Sequence, residues 1–456
     1  MTQPCPTGAT LAEAQAFLAS HPDVAAVDIV LTDLHGIGRG KIIRRHELES
    51  LFANGRGMPA SLFAQDVEGD DVAGALATQN DKGGDSRCWP VPGTLGLLPA
   101  TGRGVVLVTM FDAAGNPHPS DPRHALMAGI ARAKATGFTP MGAMELEFYL
   151  VDRDRDAMGL MQPARYALTA RRNHASNTMS VDELDEMSPF FDAVYAGAKM
   201  LDLPLETLIS EYAASQYELT LCYRDLARAA DDIVLAKRLI RATARRFGFE
   251  ACFMAKPFGN LSGSGMHLHL SLADEAGANL FADQGEGDLA PLMLQAIGGI
   301  RAAMADTMLV VAPFLNSWRR LANTVYSPAS NTWGQEDRLV ALRIPAGPAR
   351  TRHFEHRIAG VDANPYLLAA VTLGCSLDGT QAQLSPGAAG PDGAADHPAL
   401  PRNWQDAITC FAASDPMRRI LGGPLHDGFA AIKQAEHDQL AVEVTEMEWR
   451  LYGFVV

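Results

Sequence analysis

The sequence lacks the features that commit a chain to a membrane, a disulfide scaffold or a nucleic acid. Its six cysteines (Cys5, Cys88, Cys222, Cys252, Cys375 and Cys410) are scattered, with no CxxC spacing. A zinc cluster needs paired soft ligands and a disulfide framework needs a denser set, so reduced thiols packed as small apolar groups are expected. No apolar run reaches the ~18 residues that span a bilayer, so no membrane partner is expected. The N-terminus has no basic stretch followed by an apolar one, so no secretory leader is expected and the expected location is cytoplasmic. Basic charge is also scarce: 38 Lys and Arg against 53 Asp and Glu leave a formal charge of -15. Nucleic-acid backbones demand Lys and Arg stripes, so no nucleic-acid partner is expected. A small anionic nucleotide stays open, because local arginines and metal ions can supply a positive field.

What is present is a chain of 456 residues, long enough for two domains and apolar enough to bury an ordinary core. Residues 10–20 read as a short helix. VAAVDIVLTD alternates apolar and polar residues as a strand, HGIGRGK turns, and KIIRR resumes, which predicts a hairpin. Asp66 to Asp85 reads as loop, and GLLPATGRGVVLVTM as further strand. NPHPSDP, dense in Pro and Asp, marks a boundary between residues 1–112 and 116–456. The helix that follows has Ser120 or Asp121 as its cap, Pro122 in its first turn and Gly137 at its end. MELEFYL and SGMHLHLSL read as strands, RDLARAADDIVLAKRLIRATARRFG as a long amphipathic helix. SPGAAGPDGAADHPALP reads as a surface loop, and WQDAITCFAASDPMRRILG and FAAIKQAEHDQLAVEV as late helices.

Three acidic or histidine motifs are candidates for chemistry. Glu145 and Glu147 are two apart in MELEFYL, so both project from one face of a strand. Two carboxylates held that close favour a cation between them, although a half-solvated strand is an equally simple account. Glu211 and Glu218 lie seven apart in SEYAASQYELTL and, by themselves, read as ordinary surface acids. His267 and His269 share a face in GSGMHLHLSL, after glycines that let the backbone turn. They suit a metal or phosphate, or two core histidines bonded to backbone. Arg319, Arg320, Arg338, Arg343, Arg350, Arg352 and Arg357 follow within a short span around Glu355. Arginine forks match carboxylate and phosphate oxygens, while Arg319 and Arg350 read as solvated. Carboxylates with one or two imidazoles suit Mg²⁺ or Mn²⁺, and nearby arginines suit a phosphoryl group in transfer. The combination predicts ATP-dependent chemistry.

In order, DIVLTDLHGIGRGK, SDPR, MELEF, EYAASQYEL, GSGMHLHLSL, NSWRR, ALRIP, FEHR and DANPYLLAA resemble the glutamine synthetase superfamily over nearly the whole chain. The resemblance implies an α+β fold: an N-terminal β-grasp domain and a larger catalytic α/β domain. It also implies a homo-oligomer, a dodecamer of two hexameric rings with active sites between neighbouring subunits. Carried over by position, one metal site would use Glu147, Glu211 and Glu218, and a second, bridging to ATP, Glu145, His267 and Glu355. Arg320 and Arg357 would hold the glutamate carboxylate and the acyl phosphate, with Gly263 letting backbone approach the glutamate. Arg338 and Arg343 would meet the ATP phosphates, and His269 and Ser271 would flank the nucleotide. The implied reaction has two steps. The γ-carboxylate of glutamate attacks the γ-phosphate of ATP, and a neutral amine then displaces phosphate from γ-glutamyl phosphate.

The chain departs from the ammonia-using pattern at its amine side. The DGSS-like segment is replaced by MPASLFAQDVEGDD, and the Glu expected six residues after Arg320 is Tyr326. Ammonium needs a carboxylate to bind it and to take its proton. The positions instead resemble the glutamate–amine ligases, including those that make γ-glutamylputrescine, so a larger amine, a polyamine such as putrescine first, is expected. Asp66, Glu68, Asp70 and Asp71 are candidate suppliers of negative charge, or a solvated acidic loop. Three further positions differ: Ala213 to Ser215 replace a Gly- and Pro-rich stretch, Ser262 replaces an Asn, and His353 replaces an Arg for which Arg352 is the neighbouring substitute. The competing expectations are an ammonia-using synthetase and a catalytically inactive structural homologue.

Overall fold

The structure is a computed structural model that describes all residues except 1–4, 79–83, 173–177, 284, 286–287 and 323–326. The N-terminal region forms a six-stranded sheet from β1 (Ala26–Thr32), β2 (Gly38–Arg44), β3 (Arg56–Pro59), β4 (Asp85–Pro90), β5 (Gly96–Leu98) and β6 (Arg103–Phe111). β1 and β2 are the expected hairpin, with Ala26 opposite Arg44 and Thr32 opposite Gly38. β1 also pairs in parallel with β6, which places it inside the sheet. Its alternation predicted one solvated face, yet all seven residues are buried. Val27, Ile29 and Leu31 face a core closed by the helices Leu11–Ser20 and Leu48–Asn54, while Val30 joins the core of the rest of the chain. A strand covered on both faces has no place for a free charge. Asp28 is accordingly paired with Arg103 from β6 and with Arg238.

The larger region is built on a nine-stranded sheet. Its strands are β7 (Thr139–Asp152), β8 (Leu205–Ser210), β9 (Gln216–Leu221), β10 (Arg224–Asp225), β11 (Phe249–Cys252), β12 (Leu268–Ala273), β13 (Trp333–Gln335), β14 (Leu342–Ile344) and β15 (Phe354–His356). The order is β13-β14-β15-β12-β7-β9-β8, with β10 and β11 also on β7. All pairings are antiparallel except β13 with β14. The region is therefore α+β, and the expected α/β description is corrected: the MELEF and HLHLSL strands pair directly, without βαβ crossovers. Helices Leu226–Arg246 and Pro365–Ala382 cover the apolar side of the sheet. No single helix among the described residues is long and apolar enough to cross a membrane.

The two regions are joined by buried polar contacts. The linker is tied back, because the Asp121 carboxylate caps helix Pro122–Ala135 and accepts from the Thr109 hydroxyl at 2.7 Å and the Met110 N–H at 2.8 Å. Asn364 donates to the Asp33 carbonyl at 2.9 Å. Glu436, on helix Gly423–Ala441, accepts from the Val67 N–H at 2.9 Å and from Lys433 at 2.8 Å, and meets His35 Nε2. Burial works against the Glu436 charge, but the Lys433 ammonium and the His35 bond bring its carboxyl down to about 2.

Candidate active site

Register builds the site. Along β7, Met144, Leu146, Phe148 and Leu150 enter the core, so Glu145 and Glu147 face the other way. On β9, Tyr217, Leu219 and Leu221 take the core, and Glu218 stands directly opposite Glu147. On β12, Leu268, Leu270 and Leu272 take the core, leaving His269 and Ser271 on the site face. His267 lies one residue before β12, and the ladder continues to it, because its carbonyl accepts the Glu145 N–H at 3.0 Å. His269 is opposite Glu355, and Glu355 is opposite Arg343. Glu211 enters from the turn between β8 and β9, where its N–H donates to the Gln216 carbonyl at 2.8 Å and Ser215 adopts φ +60°. Four strands, the turn before β9 and the residue before β12 therefore aim five carboxylates, the His267 imidazole and a guanidinium at one volume, with His269 reaching it through Glu145.

That volume is a cavity of about 660 Å³. It brings together Glu145, Glu147, Glu211, Glu218, Glu355, His267, Gly263, Arg320, Arg338, Arg343 and Arg357. His267 Nδ1 is 2.9 Å from Glu145 and 3.3 Å from Glu355, and its Nε2 is 3.9 Å from Glu147. His269 Nε2 is 3.0 Å from Glu145. Arg343 donates to Glu355 at 3.0 Å, and Arg357 donates to the other oxygen of the same carboxylate.

Burying so many like charges perturbs them. Burial and the surrounding carboxylates, Glu145 first, push Glu218 up to about 10, and burial with the Glu147 charge pushes Glu211 up to about 7. Burial acts the same way on Glu145, but bonds from His267 and His269 outweigh it and hold its carboxyl well below the usual range. A divalent cation is the natural relief for such a set. Ligand atoms of Glu145, Glu218 and His267 lie within 4.8 Å of one another, as do those of Glu145, His269 and Glu355. Oxygen-rich triads with one imidazole each fit Mg²⁺ or Mn²⁺. The grouping differs from the sequence expectation. His269 joins a triad instead of standing apart, while Glu147 and Glu211 line the cavity outside both. Glu147 accepts the Gly265 N–H at 2.8 Å, and Glu211 the Tyr212 N–H at 3.3 Å.

Arg320 is buried at one end of the cavity and donates to the Ile358 carbonyl at 2.6 Å. It explains Gly263 sterically: a Cβ there would lie 2.7 Å from Arg320 Cγ and 2.8 Å from the Ala255 carbonyl. Three expected residues are not brought to the wall. Ser271 lies further along β12. Arg352 is in a two-pronged pair with Asp283, at 2.6 and 2.9 Å, and donates to the Pro345 carbonyl. His269 reaches the site through Glu145 and packs at a tilt against His353, with ring centroids 5.0 Å apart and planes at 60°. Tyr326 lies outside the described residues. Asp66 is spent within its own loop, accepting N–H groups of Glu68, Gly69 and Asp70, while Glu68, Asp70 and Asp71 are exposed and line no part of the cavity. Arg319 and Arg350 are exposed, as a solvated reading predicts.

The sequence reading missed Lys256, Gln216, Asn260 and Tyr212, which also line the cavity. Lys256 and Asn260 belong to a loop without periodicity, so no pattern marked them. Gln216 had a signal: it precedes Glu218 by two on the same strand face.

A largely antiparallel sheet that presents a carboxylate–histidine cage flanked by arginines suits a divalent cation and a phosphoryl group. Residues 119–452 match the family described as glutamine synthetase, catalytic domain. The chain therefore belongs to the glutamine synthetase family and is a ligase of that family, whose members use ATP and divalent metal. It is 36% identical over 447 residues to gamma-glutamylputrescine synthetase of Escherichia coli (strain K12), covering 96% of this chain and 94% of that one. It is 29% identical over 374 residues to glutamate–isopropylamine ligase of a Pseudomonas species, covering 81% of each. The solved structure described as apo GmaS without ligand superposes with a TM-score of 0.81 at 28% identity, covering 96% of this chain and 98% of that one.

Proposed function

We propose that this chain joins the γ-carboxylate of glutamate to a primary amine, a polyamine such as putrescine first, with ATP converted to ADP and phosphate. The observation that carries this reading is the single cavity shared by the carboxylate cage, the buried Arg320 and the Arg343–Glu355–Arg357 row. Two similar proteins are named for glutamate–amine ligation with putrescine and isopropylamine, which supports an amine larger than ammonia. Tyr326 and MPASLFAQDVEGDD, in place of the acids of the ammonia-using pattern, support it from the sequence side.

In the mechanism, Arg320 and Arg357 orient the acid, and Arg338 and Arg343 neutralise the phosphates of ATP. The γ-carboxylate attacks the γ-phosphorus in line, ADP departs, and the carboxyl becomes a mixed anhydride with a good leaving group. Two Mg²⁺ or Mn²⁺ ions, held by Glu145, Glu147, Glu211, Glu218, His267 and Glu355, would neutralise charge developing on the transferring group. The neutral amine then attacks the γ-carbonyl, the carbon–oxygen bond to phosphate breaks, and the nitrogen gives up one proton, to the departing phosphate or to water, as the amide forms. Ser271 and His269 remain our assignments for the nucleotide side, with His269 also in the triad of Glu145 and Glu355, while Arg352, held by Asp283, is withdrawn from it. The same reading makes residues 1–112 a β-grasp domain, residues 116–456 the catalytic domain, and the assembly a dodecamer of two hexameric rings in the cytoplasm. A catalytically inactive homologue would have no physical need to hold five carboxylates together.

Phosphate release from ATP, with glutamate, Mg²⁺ and a panel of amines, tests the proposal. Turnover with putrescine or another primary amine is expected. Turnover with ammonia alone would identify an ordinary synthetase, and no turnover with any amine would favour a structural role.

A further inference from the structure

We propose that Tyr149, Gln216 and Lys256 are positioning residues that set the loop Gly259–Gly263 against the acid substrate by fixing its carbonyl groups. The proposal rests on the assignment of the acid to the Arg320 end of the cavity. The loop lines the cavity there, and the Ser264 N–H closes its base by donating to the Ala255 carbonyl at 2.8 Å. Three successive carbonyls are then each taken by a side chain from a different element. Lys256 Nζ donates to Leu261, the Tyr149 hydroxyl donates to Ser262 at 2.6 Å, and Gln216 Nε2 donates to Gly263 at 3.0 Å. The next carbonyl, that of Ser264, accepts the Val361 N–H at 3.1 Å.

Carbonyl oxygens are the negative ends of a loop and would repel an incoming carboxylate. With these four held by protein donors, the loop keeps its amide ends for a ligand: among the described residues, the N–H groups of Ser262 and Gly263 have no acceptor. Both residues are on the cavity wall.

The three side chains also fix where the loop sits. Tyr149 follows Glu147 by two on β7, and Gln216 precedes Glu218 by two on β9, so both come from strands that carry the cage. Lys256 is clamped to the helix of Arg320 (Leu315–Leu321): its N–H donates to Asn316 Oδ1 at 2.8 Å, and Asn316 Nδ2 donates to its carbonyl at 2.9 Å. The loop is thus gauged against the cage on one side and against Arg320 on the other. An acid seated between loop and Arg320 has its distance to the cage fixed by these three bonds.

The test uses the full chain with Tyr149→Phe, Gln216→Leu, Lys256→Met and Lys256→Arg. Tyr149→Phe removes one hydroxyl and leaves the ring packed on Phe258, with centroids 5.4 Å apart, so it folds even where a larger cut fails. L-glutamate binding is measured by calorimetry with Mg²⁺ and a non-hydrolysable ATP analogue, and KM for glutamate and for ATP by phosphate release. Each of the first three variants is expected to bind glutamate about tenfold more weakly, equivalent to about 1.4 kcal/mol, with KM for ATP within about twofold of wild type. Lys256→Arg, which keeps a charged donor, is expected to recover most of the loss. Unchanged glutamate affinity in Tyr149→Phe, or an equal rise in KM for ATP, would overturn the proposal. Wild-type protein that binds no glutamate would overturn the acid assignment and this inference together, an outcome distinguishable because the unaltered chain itself fails.

Discussion

Metal binding to this cage should release protons, and the number follows from the site. At pH 7 a carboxyl pushed up to about 10, as at Glu218, carries a full proton, and one at about 7, as at Glu211, carries about half. Glu145 contributes none, because its two histidine bonds keep it ionised. Filling the cage with Mn²⁺ should therefore expel about 1.5 protons at pH 7 from these two carboxyls, and a further fraction from His269, whose protonated form is favoured, against burial, by the Glu145 carboxylate. The share from the two carboxyls should approach two near pH 5.5 and one near pH 8.5, His269 adds to it at the acid end, and apparent affinity should rise with pH at a matching slope. Calorimetric titration in buffers of different ionisation enthalpy reads the count directly. Glu218→Gln should lower it at pH 7 by about one. The linkage has a sign that a second measurement checks. Glu218 has a folded value raised above its ordinary 4.5, so the metal-free folded chain binds more protons than the unfolded one between about pH 4.5 and 10. Metal-free stability should fall as pH rises through that window, and metal should abolish the slope. Release of fewer than about 0.5 protons at pH 7, with affinity flat in pH, would refute the account of a crowded, metal-relieved carboxylate cage.

Other perturbations follow from the same geometry. Glu145→Ala and Glu211→Ala should each reduce turnover at least about a thousandfold, read as phosphate release, because each removes a cage carboxylate; near-normal rates in either would reject the ligand assignment. Glu436→Gln should destabilise the join between the two regions by about 3 kcal/mol at pH 7, since its carboxyl sits about 2.5 units below 4.5 at about 1.36 kcal/mol each. That group is depressed on folding, so its contribution is present above about pH 4.5 and is lost as pH falls toward about 2. The difference in urea midpoint between variant and wild type should shrink over that range.

The strands that carry the cage were legible in the sequence because alternation is a local signal. MELEFYL places core and site residues on opposite faces, and HLHLSL does the same, so Glu145 with Glu147, and His267 with His269, could each be set on one face before any fold was known, while the family resemblance brought the two pairs together. The cap of the helix Pro122–Ala135 was legible too, as one of the two candidates Ser120 and Asp121, since a capping side chain acts through the next turn only. What was not legible is what depends on contacts distant in sequence. Nothing near VDIVLTD says that its polar-looking face is buried by the rest of the chain, or that Asp28 finds Arg103 and Arg238 there. Arg352 looked available for a nucleotide because Asp283, some seventy residues earlier in the chain, is invisible as its partner in a local reading. The short helix Ala73–Thr78, inside a stretch read as loop, depends on packing against helix Gly423–Ala441. Gln216 holds a carbonyl of a loop distant in sequence and Lys256 one within its own loop, contacts with no residue pattern of their own.

The central claim is that glutamate is activated by phosphorylation and then captured by an amine. Glutamate labelled with ¹⁸O in its γ-carboxylate, incubated with ATP, Mg²⁺, putrescine and the enzyme, tests this directly by mass spectrometry of both products. The account predicts one ¹⁸O in each phosphate released and a matching amount of γ-glutamylputrescine. Unlabelled phosphate, or labelled phosphate without an amide of any amine offered, would contradict it.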